Sequence, residues 1–348
     1  MIPRVKLFVN IWQAIFIGMF RRHFFNNTPK RAVYAFFMPR FGHNGKCPDF
    51  FVVIREKVWY TVYTYIYACF SGRKIRYAFL HKRGEILAIL KDVKRLVVKV
   101  GTSTLTYDTG KTNIRRMHKL VSVLSDIVNS GMEVALVTSG AIGVGVGKLG
   151  LRERPEDTPG RQAAATVGQC ELMFMYDKLF GEYGHTVGQL LMTKSDVENP
   201  ERRENLTNAF LKIFEFGAIP IVNENDSVAV EEIVYGDNDS LSAIVAKLIG
   251  ADALIILTDI DGLYDANPVE DETARLIPEV HEITEELLAA AGGHGSRFST
   301  GGMVTKLHAA QIATEAGIDV IVMNGSAPEE IYKALDGKQI GTFFVGKK

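Results

Sequence analysis

From about residue 92 onward, short and almost entirely apolar runs alternate with longer segments whose apolar residues recur at helical spacing. Strands that are apolar at nearly every position are typical of a parallel sheet covered on both faces, because neither face meets water. The runs predicted as strands are residues 96–100, 133–138, 186–193, 219–223, 254–258 and 320–323. The predicted helices are residues 113–129, 161–183 and 204–216. This alternation predicts one α/β domain over 92–348 with a mostly parallel sheet.

The distribution of charge sets the first 91 residues apart. The chain of 348 residues has a formal net charge of zero, with 40 basic and 40 acidic side chains. Residues 1–91 contain 16 of the basic side chains but only three acidic ones, and they also contain both tryptophans. Such asymmetry predicts two unlike pieces, an N-terminal extension over 1–91 and a catalytic domain over 92–348.

Three interpretations of residues 1–91 stay open. The apolar run 7–20 lies between basic residues, but it is shorter than the roughly 20 residues that a membrane-spanning helix needs. The segment is an extension outside the working domain, a membrane-surface anchor of basic and aromatic residues, or a basic arm for nucleic acid or a protein partner. We favour the first interpretation, and for 92–348 we expect neither a membrane nor a nucleic acid partner.

The sequence contains no pattern that predicts a bound metal. Cys47, Cys69 and Cys170 lack metal-ligand spacing, and their odd number argues against a disulfide framework, which favours a reduced, cytoplasmic setting. The segment 259–262 begins like a calcium loop, but its glycine stands at the fourth position instead of the sixth. We therefore predict no metal site built by the protein itself.

Polar loops follow the predicted strands, at the edge where open α/β sheets bind their ligands. In 99–103, Gly101 allows the backbone to approach a phosphate and Lys99 adds a positive charge, with a plain surface lysine as the alternative. In 138–143, a strand turns into a helix whose first N–H groups can bind an anion, with a simple helix cap by Ser139 as the alternative.

Two acidic and amide-rich loops lie close together in the sequence, at 223–227 and 236–240. Carboxamides and carboxylates at this density suit the ammonium and carboxylate groups of an amino acid. Asp239 has a second interpretation as the N-cap of the helix that follows, and the two roles are compatible.

The most informative loop is 299–306, in which two glycines precede a helix. Lys306 is predicted to lie on the first turn of that helix, near the positive end of its dipole. A cation there is unfavourable unless an anion is bound beside it, so this conflict predicts a phosphate site.

Two nucleotide-binding patterns are excluded. The glycines in 145–150 match a dinucleotide fingerprint, but they come seven residues after the strand instead of directly after it. Gly110-Lys111-Thr112 resembles the end of a P-loop, but position 105, where that motif requires glycine, is Leu105.

Taken together and in this order, the loops resemble the amino acid kinase family. The matching segments are LVVKVGT at 96–102, VTSGAI at 137–142, VNENDSV at 222–228, GDNDSLSA at 236–243, LTDIDGLY at 257–264 and TGGMVTK at 300–306. The resemblance implies a three-layer αβα sandwich around a mostly parallel open sheet. Its third and fourth segments point to the branch that phosphorylates the side-chain carboxylate of L-glutamate with ATP, giving L-glutamyl 5-phosphate for proline biosynthesis. Mg²⁺ is expected to come with the ATP.

The resemblance also implies roles for individual residues. Lys99 and Lys306 are expected to contact the phosphates, with Asp239 orienting both, and these three form the expected catalytic set. L-glutamate is expected to be held by Ser139, Asp226 and Asn238. ATP is expected to be held by Lys99, Thr258, Asp259 and the loop Thr300, Gly301, Gly302, Met303, Val304, Thr305 and Lys306.

Family resemblance further implies a homo-oligomer, dimer or tetramer, and inhibition by proline at the glutamate site. Bacterial members often carry a C-terminal PUA domain, whereas this sequence stops at Lys348, so we expect a short form. The alternatives that remain are a kinase for aspartate or acetylglutamate, a catalytically silent amino-acid sensor, and a membrane-associated or nucleic-acid-binding protein defined by its basic N-terminus.

Overall fold

The computed structural model describes residues 33–39, 50–56, 65–71, 74–80, 90, 92–107, 111–228, 238–268, 271–291 and 302–347. The chain divides into two units, Met1–Ile86 and Leu87–Lys348. In the first unit, β1 (Val33–Pro39) pairs antiparallel with β2 (Phe50–Glu56), and β3 (Tyr65–Ser71) pairs antiparallel with β4 (Lys74–Leu80). The apolar run 7–20, on which the interpretations of the extension depend, lies outside the described residues.

The second unit is built on an eight-stranded sheet. Its strands are β5 (Arg95–Val100), β6 (Glu133–Val137), β7 (Val187–Met192), β8 (Ile219–Glu224), β9 (Ala253–Thr258), β10 (Glu279–Val280), β11 (Asp319–Asn324) and β12 (Thr342–Phe344). Their order across the sheet is β10-β12-β11-β9-β5-β6-β8-β7. All neighbours are parallel except β11 and β12, which are antiparallel. The prediction of a mostly parallel sheet is confirmed.

Helices connect the strands and cover both faces of the sheet. They are α1 (Thr102–Leu105), α2 (Ile114–Asn129), α3 (Ala141–Leu149), α4 (Thr158–Gly181), α5 (Lys194–Glu198), α6 (Pro200–Glu215), α7 (Asn238–Ile249), α8 (Glu285–Ala291), α9 (Met303–Glu315) and α10 (Glu330–Leu335). Among the described residues, no helix combines the length and the apolar character that a membrane crossing requires.

Two hydrophobic clusters, one on each side of the sheet, give the three-layer αβα architecture. One cluster joins α2, α3, α4 and α10 to the sheet, and the other joins α6, α7 and α9 to it. Along β5, Leu96, Val98 and Val100 belong to the first cluster, whereas Val97 belongs to the second. This alternation turns Lys99 toward the face on which α7 and α9 lie.

Two helices begin earlier than their apolar pattern predicts. Helix α4 starts at Thr158 instead of 161, because Asp157 caps it by accepting a hydrogen bond from the N–H of Gly160 and a proline stands in the first turn. Helix α6 starts at Pro200 instead of 204, with Asn199 as the corresponding cap. The first turns of both helices are polar and therefore carry no apolar signal.

Helices α3 and α4 touch at glycines. A Cβ atom on Gly145 would lie 1.8 Å from the carbonyl oxygen of Ala164, and one on Gly168 would lie 1.8 Å from that of Ala141. These distances are far shorter than any van der Waals contact, so only glycine permits the two backbones to approach this closely. The glycine pattern at 145–150 thus supplies a helix-packing position, consistent with the exclusion of a dinucleotide fingerprint.

Candidate active site

The candidate site lies where the parallel strands end. Lys99 lies at the end of β5, Thr138 directly after β6, and Thr258 at the end of β9. Because these strands are parallel and adjacent, their carboxyl ends lie along one edge of the sheet. This is the edge at which open α/β sheets bind ligands.

Lys99, Asp239 and Lys306 meet in a buried cluster. The Nζ atom of Lys99 lies 2.5 Å from Oδ1 of Asp239, and that of Lys306 lies 3.2 Å from Oδ2. Asp239 is fully buried, and each lysine is only 6% exposed. The hydroxyl of Thr305 lies 3.2 Å from Oδ2 of the same carboxylate. One carboxylate therefore holds two ammonium groups that come from different ends of the domain sequence.

The structure settles two capping alternatives. Asp239 lies one residue inside α7, and its side chain is directed to the lysines. Ser139 is not the cap of α3, because Gly140 occupies that position in the left-handed region with φ of 93°. A Cβ atom on Gly140 would also lie 3.3 Å from the side chain of Thr102. Both the positive φ and this close contact therefore favour glycine at the turn. The hydroxyl of Ser139 instead accepts a hydrogen bond from Asn238.

Asn238 is the centre of a hydrogen-bond network at the ends of β6 and β8. Its Nδ2 group donates to the carbonyl oxygen of Thr138, to Oγ of Ser139 at 3.0 Å, and to Oδ1 of Asn223 at 2.8 Å. Asn223 is 2% exposed, and its own Nδ2 donates to Oε1 of Gln169 at 2.8 Å. The predicted glutamate residues Ser139 and Asn238 thus lie in contact with one another.

Asp226 lies in the turn that follows β8, half-buried and close to a second acid. Burial raises the pKa of its carboxyl, and the charge of Arg154 partly opposes that rise. Burial and the charge of Asp226 raise the pKa of Glu224 from its usual 4.5 to about 7. A cation bound between these groups would favour the ionised forms of both.

The predicted nucleotide side includes the start of α9 and the end of β9. Gly302 is the N-cap of α9 in an extended conformation, and Met303, Val304 and Thr305 form its first turn with partly buried side chains. The hydroxyl of Thr258 lies 3.1 Å from Oδ1 of Asp259, whose side chain is exposed. The free N–H groups at the start of a 13-residue helix attract anions. Thr300 and Gly301 lie outside the described residues.

No sequence pattern predicts a role for two residues of the network. Gln169 and Tyr176 lie in the middle of α4, seven residues apart and thus on one face. The phenol oxygen of Tyr176 lies 2.8 Å from Oγ1 of Thr138, and burial raises the pKa of this tyrosine. No strand end or glycine loop marks these positions, and their spacing is that of an ordinary core-facing helix.

Among the described residues, no group of three or more His, Cys, Asp or Glu side chains is arranged to hold a metal ion. The buried ion-pair cluster of the site instead consists of two lysines around one aspartate. Such an arrangement suits an anionic ligand more than a bare cation.

The match to known proteins covers the second unit. Residues 94–324 match the amino acid kinase family. A glutamate 5-kinase of Clostridium perfringens is 56% identical over 263 residues, which cover 74% of this chain and 98% of that protein. A glutamate 5-kinase of Listeria monocytogenes is 55% identical over 263 residues, which cover 74% of this chain and 95% of that protein.

Solved structures with the same architecture are more distant in sequence. UMP kinase from Bacillus anthracis gives a TM-score of 0.52 at 16% identity, covering 74% of this chain and 97% of that one. Isopentenyl phosphate kinase from T. acidophilum gives a TM-score of 0.50 at 19% identity, covering 72% of this chain and 99% of that one. At these identities the likeness concerns the fold alone.

Proposed function

This chain belongs to the amino acid kinase family, and from that membership we propose that it transfers the γ-phosphoryl group of ATP to the side-chain carboxylate of L-glutamate. The product is L-glutamyl 5-phosphate, and the reaction is the first step of proline biosynthesis. The relatives named glutamate 5-kinase share more than half of their aligned residues with this chain and are matched over almost their whole length.

The observation that carries this proposal is the buried cluster of Lys99, Asp239 and Lys306. Two ammonium groups held by one carboxylate at the carboxyl edge of the sheet can contact the transferring phosphoryl group from two directions. In the loose transition state of phosphoryl transfer, charge spreads over the phosphoryl oxygens, so preorganised cations stabilise it. Asp239 acts as a positioning residue, because it fixes both lysines before the substrates arrive.

The acceptor chemistry requires no strong base. A side-chain carboxylate of glutamate has an ordinary pKa of about 4.3 and is already ionised at neutral pH. The enzyme therefore has to align two anions and neutralise their repulsion, and it does not have to remove a proton. A site that contains lysines and amides fits this requirement.

We assign the amino-acid end of the substrate to Ser139, Asp226 and Asn238. Asp226 offers a carboxylate for the α-ammonium group, and binding of that cation would stabilise the ionised carboxylate that burial disfavours. Ser139, which follows β6, and Asn238, at the start of α7, are joined by a hydrogen bond, so they form one recognition surface.

We assign ATP to the opposite side of the lysine cluster. Thr258 and Asp259 follow β9, and Gly302, Met303, Val304, Thr305 and Lys306 begin α9. Thr300 and Gly301 complete this proposed set. Mg²⁺ is proposed to arrive as Mg–ATP, bound to the phosphates as part of the substrate, which is the usual state of this ion in kinases.

Further proposals concern the protein as a whole. We assign catalysis to residues 92–348, with residues 1–91 taking no part in it. We also propose a cytoplasmic homo-oligomer, dimer or tetramer, in which proline competes with glutamate for the site around Asp226 and Asn238.

A panel of acceptors tests the proposal. Purified full-length protein with ATP and Mg²⁺ is expected to form a hydroxamate-trapped acyl phosphate with L-glutamate, and at least tenfold less with L-aspartate or N-acetyl-L-glutamate. Aspartate is one methylene shorter, and N-acetylglutamate lacks the ammonium group that Asp226 is proposed to bind. Turnover of either alternative at the rate of glutamate contradicts the assignment, and addition of proline tests competition in the same assay.

A further inference from the structure

We infer that Gln169, on α4, is a positioning residue for recognition of the amino acid, acting through Asn223 on Asn238. This inference rests on the proposed function, in which Asn238 binds glutamate. Gln169 does not itself contact Asn238. It influences the position of Asn238 through a row of three hydrogen-bonded carboxamide side chains, those of Gln169, Asn223 and Asn238. The row runs from helix α4 through strand β8 to the start of helix α7.

Backbone groups fix the orientation of two of these carboxamides. The N–H of Glu224 donates to Oδ1 of Asn223 at 2.9 Å, so the carboxamide oxygen of Asn223, and not its nitrogen, has to face this N–H group. The carbonyl oxygen of Thr138 accepts from Nδ2 of Asn238, so the nitrogen of Asn238 has to face it. A backbone N–H can only donate and a carbonyl can only accept, which excludes the flipped alternatives.

The orientation of Asn238 leaves its Oδ1 atom for a ligand. Its Nδ2 group donates hydrogen bonds to Thr138, Ser139 and Asn223. Within the described part of the chain, no group donates a hydrogen bond to Oδ1 of Asn238. An acceptor oxygen in this place suits the α-ammonium group of an amino acid, which presents only donors. The direction of Asn238 therefore decides whether the site offers an acceptor or a donor to the substrate.

Gln169 holds the far end of the row. Its Oε1 atom accepts from Nδ2 of Asn223 at 2.8 Å, and Asn223 is almost completely buried. Without this acceptor, the Nδ2 group of Asn223 would be buried and unsatisfied, which is costly. Because the N–H of Glu224 keeps Oδ1 of Asn223 on its side, the Asn223 side chain would then shift instead of flipping, and its hydrogen bond with Asn238 would weaken.

The other end of the Gln169 side chain shows that packing alone does not account for this residue. Its Nε2 atom is buried and has no hydrogen-bond partner within the described residues, although the side chain is only 9% exposed. A residue chosen for packing would be apolar here, because an unsatisfied buried donor is unfavourable. The useful part of Gln169 is therefore its carbonyl oxygen, which holds the Nδ2 group of Asn223 in place.

The test replaces Gln169 with methionine, a side chain of similar length without hydrogen-bonding groups. In full-length protein with ATP and Mg²⁺, Gln169→Met is expected to raise KM for glutamate about tenfold, the loss typical of one hydrogen bond to a charged group. KM for ATP is expected to stay within about twofold, because within the described residues no side chain of the row hydrogen-bonds to Asp239 or to either lysine. Leu172→Met, on the same helix and fully buried, is the matched control and is expected to change neither KM.

A double-mutant cycle separates positioning from other effects. If Gln169 acts through Asn238, then in an Asn238→Ala background the change Gln169→Met alters KM for glutamate less than about twofold. An unchanged KM in the single variant, a parallel rise in both KM values, or a full tenfold effect in the Asn238→Ala background overturns the inference. If neither Gln169→Met nor Gln169→Leu folds, as judged by thermal melting, Gln169 is a folding determinant and the inference is also wrong.

The same experiment separates the two proposals. Absence of glutamate turnover in the unmodified protein overturns the proposed function and, with it, the role of Gln169. Normal turnover in the unmodified protein together with an unaffected Gln169→Met variant overturns the role of Gln169 alone.

Discussion

Asp239 is the residue on which the geometry of the site depends most. Its carboxylate is fully buried and lies within 3.2 Å of three side chains, those of Lys99, Lys306 and Thr305. Taking one carboxylate and two ammonium groups out of water is costly unless each finds close partners. Asp239 supplies a close partner to both ammonium groups, and cations held in place before the reaction are what phosphoryl transfer requires.

At Lys306 we predict a catalytic effect with little loss of fold. Lys306→Ala is expected to lower kcat by about 10²-fold or more, the usual cost of removing a preorganised donor, while Asp239 keeps its 2.5 Å contact with Lys99. Steady-state kinetics with saturating ATP and glutamate measures this loss. The exposed Lys247, near the end of α7, provides a control in Lys247→Ala, which should retain normal kcat. Normal turnover of the Lys306 variant would refute the assigned role.

At Glu224 we predict a pH-dependent stability. Because burial raises its folded pKa to about 7 from the usual 4.5, the folded state keeps a proton that the unfolded state has lost between these values. Glu224 therefore lowers the stability progressively as pH rises from about 4.5 to about 7. Glu224→Gln removes this penalty, so its Tm should equal that of the unmodified protein at pH 4.5 and exceed it at pH 8. Equal Tm values at both pH values contradict the prediction.

At the scale of elements, the contact between α3 and α4 gives a prediction about stability. Gly168→Ala places a Cβ atom 1.8 Å from the carbonyl oxygen of Ala141, so the backbones have to separate. We expect a loss of about 1–3 kcal/mol or more in the free energy of unfolding. Gly181→Ala, at the end of the same helix and with nothing within 4 Å of its new Cβ, should gain up to about 1 kcal/mol. Denaturant unfolding of both variants measures the difference, and equal stabilities argue against the close contact.

The elements that the sequence predicts well are those whose whole length is apolar or periodic. Strands β5, β6, β8, β9 and β11 all lie within one or two residues of their predicted bounds. Strands β10 and β12 have two and three residues, too few for any periodicity, and they pair only because distant segments meet. The antiparallel direction of β12 is likewise a tertiary property that no local pattern encodes.

In the candidate site, the sequence indicates residues that create a local conflict or that lie in the polar loops after strands, and it does not indicate residues with neither signal. Lys306 was detectable because a cation at a helix N-terminus is unfavourable without an anion. Gln169 was not detectable, because a polar residue among the apolar positions of a long helix has many ordinary explanations. Its function depends on Asn223, which is 54 residues away in the chain and beside it only in the folded protein.

At the scale of the whole molecule, the position of Leu90 predicts where the catalytic domain can be separated. The division of the chain falls between Ile86 and Leu87, a few residues before the boundary expected from charge, and Leu90 is 5% exposed within a core cluster. A fragment of residues 87–348 is expected to match the full-length protein in kcat and KM. A fragment of 92–348 should be less stable by about 1.5–3 kcal/mol, the value of one buried leucine. Thermal melts and kinetics of both fragments check this, and loss of activity in 87–348 contradicts a passive extension.

Asn238 and Asp239 are neighbours in the chain, so a single peptide unit joins the amide network to the lysine cluster. Successive Cα atoms are always about 3.8 Å apart, and the protein cannot lengthen or shorten that spacing. In the proposed mechanism, the residue at the amino-acid end and the residue that holds the lysines therefore cannot move apart, and the methylene groups of the acceptor acid connect the two ends of the site. Redesign toward a longer or shorter dicarboxylic acid should thus change residues of the amino-acid end other than Asn238 and leave this dipeptide untouched.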